Sequence, residues 1–119
     1  CSSDLICHAA MTLSNDLSIH TIVIMTESGK TAIKMAQHRP KAQIYALCSH
    51  RHTFQMLSLI WGITPVLVGS FQSTDEMILS SGKILKDHNY LKAGDKYIIT
   101  AGAPAGVTGT TNLIKIHVV

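Results

Sequence analysis

The stretch Ile19-His-Thr-Ile-Val-Ile-Met25, continuing directly into Thr26-Glu-Ser-Gly-Lys-Thr-Ala-Ile-Lys-Met-Ala-Gln37, decides the fold. Its first seven residues are short and rich in β-branched side chains, the pattern of a buried strand. From Thr31 to Gln37 the spacing changes: Ala32, Ile33 and Ala36 fall on one face of a short helix. The Arg39-Pro40 pair ends that helix, because proline pushes the residue before it out of helical conformation. Strand, tight polar loop and helix in that order form the first part of a βαβ unit.

The alternation repeats downstream. Ala42 to Cys48 reads as a second strand, and Thr53 is placed to cap a helix that runs through Trp61, with the indole in its core and Gly62 as its stop. Pro65 to Val68 gives a third strand. Ser73-Thr-Asp-Glu76 has the spacing of a capping box, in which hydroxyl and carboxylate satisfy each other's backbone donors, and its helix extends to about Lys86. Leu91 to Asp95 is a turn, Lys96 to Thr100 a fourth strand, and Asn112 to Val119 the last. Upstream, Leu5, Ile6, Ala9, Ala10 and Leu13 carry helical spacing over Ser2 to Leu13. Ser2 or Ser3 is placed as its N-cap, and Asp4 sits favourably in its first turn. The expected fold is α/β: a three-layer α/β/α sandwich with a mostly parallel five-stranded sheet. The last two strands have no helix between them, so the C-terminal one should be an antiparallel edge strand.

With 119 residues, 46% hydrophobic and 14% charged, the chain has the composition of one globular domain, taken as residues 1–119. The net charge of +3 comes from scattered residues without a basic run, which argues against nucleic acid as a partner. No apolar run approaches the roughly 20 residues that span a bilayer, so no membrane partner is expected. The chain begins at Cys1 without an initiator Met and is read as a fragment. Cys1, Cys7 and Cys48 are odd in number and lack C-x-x-C spacing, which favours reduced thiols and a cytoplasmic setting over a disulfide scaffold. Cys7 and Cys48 lie in apolar stretches and read as small buried side chains.

Most catalytic constellations are missing. Cys48-Ser-His-Arg-His52 holds three metal-ligating types, but the four ligands of a structural zinc site are not assembled, and the segment reads as a solvated loop. No metal site is assigned. There is no G-x-S-x-G elbow, and the adjacent acids Asp75 and Glu76 are explained by helix capping. No catalytic residue is assigned.

The loop Thr26-Glu27-Ser28-Gly29-Lys30-Thr31 remains. It ends like the phosphate loop G-x-x-x-x-G-K-[ST], but Ile24 stands where the first glycine belongs. The second strand also offers no acid for magnesium, so a nucleotide hydrolase is poorly supported. Amides at a helix N-terminus, three hydroxyls, a glycine and a lysine nevertheless suit a phosphate group. The same residues fit a plain strand-to-helix turn equally well. A second glycine-rich loop, Ala101 to Gly109, follows the fourth strand, and ligands gather at the carboxyl ends of parallel strands. The two loops are therefore placed to meet over one anionic ligand.

At this point a family resemblance emerges. "TESGKTA" at 26–32, "RPKAQIYALCSHRHTFQMLSLIWGITPVLV" at 39–68 and "AGDKYIITAGAPAGVTGTTNLIKIHVV" at 93–119 together resemble the C-terminal domain of pyruvate kinase. The likeness covers nearly the whole chain, and the closing segment resembles the bacterial enzymes of the Bacillus type. It implies a regulatory, tetramer-forming domain, with catalysis, magnesium and potassium on a separate barrel absent here, and no cofactor in this domain. It further implies an effector phosphate in the loop Thr26, Glu27, Ser28, Gly29, Lys30, Thr31, covered by the loop Ala105, Gly106, Val107, Thr108, Gly109. The strand Asn112, Leu113, Ile114, Lys115, Ile116, His117, Val118 is implied to pair across a twofold axis. Bisphosphate-activated eukaryotic members hold the second phosphate with a Trp and an Arg, and this chain has Phe71-Gln-Ser-Thr there instead. That departure favours AMP or ribose 5-phosphate over a sugar bisphosphate such as fructose 1,6-bisphosphate. Two alternatives stand beside this reading: a structural domain with a silent effector site, and a free-standing nucleotide hydrolase.

Overall fold

A computed structural model describes residues 2–101 and 113–119. The elements are α1 (Ser2–Leu17), β1 (Thr21–Met25), α2 (Lys30–Gln37), β2 (Gln43–Cys48), α3 (Arg51–Leu57), β3 (Ile63–Leu67), α4 (Thr74–Asp87), β4 (Lys96–Ala101) and β5 (Leu113–Val118). The strands form one sheet in the order β3-β2-β1-β4-β5. The first four are parallel and β5 runs antiparallel to β4 at the edge, as the missing crossover helix required.

The strands' composition matches their places. All five residues of β1 are buried, as are the last five of both β2 and β4, because central parallel strands are covered on both faces. The outer strands β3 and β5 are only partly covered. Alternate side chains divide into two cores. Ile22, Ile24, Ile44, Ala46 and Ile98 face one way and pack with Cys7 and Ala10 of α1, Ala32 and Met35 of α2, and Leu57 of α3. Val23, Tyr45, Leu47, Tyr97 and Ile99 face the other way and pack with Met77, Ile78 and Leu85 of α4. The three layers are thus three helices, the sheet and one helix.

Several local expectations are revised. The first helix runs four residues beyond Leu13, to Leu17. It stops where Ser18 takes a positive φ of 53° and the Ile19 N–H turns back to the Ser14 carbonyl. In the capping box, the Glu76 N–H donates to Ser73 Oγ at 3.1 Å as expected. The Glu76 carboxylate, however, takes the N–H of Gln72 at 2.7 Å rather than that of Ser73. Trp61 is not in a helix core. It lies beyond α3, 89% exposed, because α3 ends at Leu57 and the chain turns through Gly62 into β3.

Candidate functional site: the loop between β1 and α2

The loop leaves the carboxyl end of β1, the middle strand of five. On one side β2 ends in parallel beside it, and on the other β4 does the same. Three strand ends therefore open onto one rim, the crevice where parallel α/β sheets place their ligands. The glycine-rich loop leaving β4, including Ala105 to Gly109, lies outside the described residues, as does Asn112. The remainder of that last segment, Leu113 to Val118, is β5, with Ile116 and Val118 exposed.

Within the loop, Thr26 is buried, and its backbone N–H continues the sheet by donating to the Leu47 carbonyl at 3.0 Å. Gly29 precedes the first residue of α2 with φ 89° and ψ −7°, the left-handed region that glycine enters without strain. Its Cα faces α3 closely: a Cβ built there would lie 2.7 Å from Met56 Cε and 3.3 Å from Leu57 Cδ2. The Gly29 N–H donates to Thr26 Oγ1 at 2.8 Å, and the Lys30 N–H reaches Ser28 Oγ at 3.4 Å. The amide of Gly29, one of those at the start of the helix, therefore already has a partner within the loop. Lys30 is exposed at the rim, while Thr31 is buried beneath the first turn of α2, where its carbonyl receives the Cys7 thiol at 3.8 Å.

Glu27 makes contacts that the sequence did not signal. Its carboxylate Oε2 accepts from Ser49 Oγ at 2.8 Å and lies 2.9 Å from His50 Nε2. Its backbone carbonyl accepts from Thr53 Oγ1 at 2.7 Å. Thr53 is therefore not the cap of its helix. It sits inside α3, whose N-cap is His50, and spends its hydroxyl on the neighbouring loop. Of the segment read as a solvated loop, Cys48 to His52, the residues His50, Arg51 and His52 are exposed, Cys48 is buried, and Ser49 and His50 also meet the candidate site through Glu27. The one available signal was the segment's position, after the strand adjacent to β1.

The thiols of Cys7 and Cys48 are free and buried. Burial raises the Cys48 pKa above its ordinary 9.0, and the Glu27 carboxylate raises it further. Burial and then Asp4 raise that of Cys7, against a smaller lowering by Lys34. Among the described residues no group of three or more His, Cys, Asp or Glu is arranged to hold a metal ion. Among the same residues no helix is long and apolar enough to cross a membrane.

The family model described as "Pyruvate kinase, alpha/beta domain" matches residues 4–117. The chain belongs to that family. The pyruvate kinase of Sporosarcina psychrophila is 42% identical over 111 residues, 93% of this chain and 19% of that protein. The pyruvate kinase of Lactobacillus delbrueckii subsp. bulgaricus is 39% identical over 106 residues, 89% of this chain and 18% of that protein. The pyruvate kinase of Clostridium acetobutylicum is 35% identical over 118 residues, 99% of this chain and 25% of that protein. The chain thus spans a quarter or less of the length of these relatives. The pyruvate kinase alpha/beta domain is the architecture described above, a mixed five-stranded sheet with helices on both faces.

Proposed function

We propose that this chain is the regulatory and subunit-contact domain of a cytoplasmic pyruvate kinase, and that its 26–31 loop holds the phosphate of a small effector. The whole enzyme would transfer phosphate from phosphoenolpyruvate to ADP on residues this chain does not contain. The observation that carries the reading is the left-handed Gly29 between the buried end of β1 and the first turn of α2. That geometry sets a helix N-terminus, the Ser28 hydroxyl and the exposed Lys30 around one rim, where the helix dipole favours an anion. Each charge-assisted hydrogen bond to a phosphate is worth about 1.5–3 kcal/mol. The site's Lys and amides suit one phosphate, so AMP or ribose 5-phosphate is preferred over a bisphosphate. For assembly, the exposed Ile116 and Val118 on edge strand β5 support pairing with a second copy across a twofold axis in a tetramer.

A silent site is the second reading, and one observation favours it: the Gly29 N–H is satisfied by Thr26 without any ligand. Calorimetric titration of AMP, ribose 5-phosphate and fructose 1,6-bisphosphate into wild type and Ser28→Asp separates the two. The effector reading expects monophosphate binding that weakens with salt and is lost in Ser28→Asp, where a carboxylate occupies the anion's place. Identical isotherms would overturn the site. Tightest binding by the bisphosphate would overturn the choice of effector.

A further inference from the structure

We propose that Glu27, Ser49, His50 and Thr53 form a clasp that sets the shape of the 26–31 loop, making the start of α3 a positioning element for the effector site. The functional half of this inference rests on the effector reading above; the mechanical half does not. Glu27 reaches across to the neighbouring connection with both its backbone carbonyl and its side chain. Its carbonyl takes the Thr53 hydroxyl at 2.7 Å, while its carboxylate takes Ser49 Oγ at 2.8 Å and meets His50 Nε2 at 2.9 Å. These three contacts tie residue 27 to residues 49, 50 and 53, just past the carboxyl end of strand β2. Two residues along, Gly29 lies against Met56 and Leu57 of the same helix. The loop is therefore held from α3 on both sides of Ser28.

The chemistry explains why an acid is tolerated beside an anion site. A carboxylate facing the ligand would repel it, but here Oε2 is drawn toward a hydroxyl and an imidazole. Thr53 is buried and its hydroxyl has Glu27 as acceptor, so the peptide after Glu27 is fixed in orientation. That orientation determines where the Ser28 amide points, since it shares the peptide plane of the Glu27 carbonyl. A loop shaped in advance loses less entropy when a ligand binds, which improves affinity without adding a contact.

The test uses Thr53→Val, which keeps the shape and removes the donor, Thr53→Ser, which keeps the donor, and Glu27→Ala and Ser49→Ala for the carboxylate contacts. Amide exchange at residues 28–31 is followed by NMR, alongside titration with inorganic phosphate and a thermal melt for each variant. Thr53→Val and Glu27→Ala are expected to speed exchange at Gly29 and Lys30, with core amides such as Val23 and Ile99 unchanged. Each should weaken phosphate binding roughly twofold to tenfold, the scale of one lost hydrogen bond. Thr53→Ser should behave as wild type. Unchanged loop exchange in Thr53→Val, Glu27→Ala and Ser49→Ala would overturn the clasp, and Ser49→Ala decides the matter if the buried variants unfold. Faster loop exchange with unchanged phosphate affinity would overturn the positioning role. Failure of wild type to bind any phosphate, with the loop still loosened in the variants, would overturn the effector reading and its positioning corollary while upholding the mechanical clasp.

Discussion

Replacing Gly29 with Ala perturbs the backbone and the packing at once, and the structure separates the two costs. At φ 89° an alanine occupies the left-handed region, which costs roughly 1–2 kcal/mol relative to its preferred conformations. Stiffening of the unfolded chain returns about 0.4–1 kcal/mol, so the backbone part comes to about 1 kcal/mol. The new methyl group would then lie 2.7 Å from Met56 Cε and 3.3 Å from Leu57 Cδ2. The Met56 methyl is the end of a flexible chain and swings away cheaply. Leu57 is fully buried in the core cluster, so overpacking against it adds about 1–3 kcal/mol. The total is about 2–4 kcal/mol. At about 2.1 cal/mol/K of unfolding entropy per residue, a chain this size loses about 4 °C of Tm per kcal/mol, so Tm should fall by about 8–16 °C. Gly62 and Gly94 supply the control: their φ values are 89° and 91°, and a methyl group added at either would meet nothing within 4 Å. Gly62→Ala and Gly94→Ala should each cost only the backbone part, about 4 °C. Calorimetric melts of the three variants would refute the reasoning if Gly29→Ala proved no worse than the other two.

Thr100 carries a fully buried hydroxyl with no hydrogen-bond partner among the described residues, so Thr100→Val should raise stability by about 0.5–2 kcal/mol in urea denaturation; a loss would mean the hydroxyl is bonded. Burial raises the pKa values of Cys7 and Cys48 above 9.0 and those of Tyr45 and Tyr97 above 10.0. The folded state then holds protons that the unfolded chain gives up, so the stability these groups contribute is fully present below pH 9.0 and is lost as pH rises through their folded pKa values. Denaturation midpoints at pH 8 and pH 10 check the sign, and Cys7→Ala and Cys48→Ala should flatten the decline. Trp61→Ala should change stability by no more than about 0.5 kcal/mol, because the indole is 89% exposed, and the emission of this single tryptophan should shift little on unfolding.

Period and punctuation made the sheet readable in advance. The β-branched runs at Ile22 to Ile24 and Tyr97 to Ile99, separated by helical spacing, left few arrangements other than a parallel sheet with a reversed last strand. The misreadings around the candidate site share a cause: each concerns a side chain whose partner is distant in sequence. Thr53 looks like a cap because hydroxyls before helices usually bond locally, yet its acceptor is Glu27. Ser49 and His50 read as loop residues without a tertiary partner, but the register Met25↔Leu47 brings the two strand ends together and both meet Glu27. Trp61 looks like core because aromatics usually are, but the helix stops four residues earlier and the ring projects from a turn. Local spacing carries the direction of a strand or helix face. It does not carry which loop meets which.

The order β3-β2-β1-β4-β5 has a consequence for how the chain assembles. Pairing of β1 with β2, and of β2 with β3, joins segments separated by a single helix, as in Ile22↔Ile44 and Ile44↔Ile63. Pairing of β1 with β4 joins Ile22 to Ile98 across most of the chain, and that longer closure costs more chain entropy before any contact offsets it. The seam down the middle of the finished sheet is therefore the one expected to close late, with β5 added behind it. Mutations at Ile44 should slow folding, whereas those at Ile98 should chiefly speed unfolding. The rim where the 26–31 loop sits would then be completed in one of the last events of folding, so the domain's earliest compact forms would have a sheet but only part of the site.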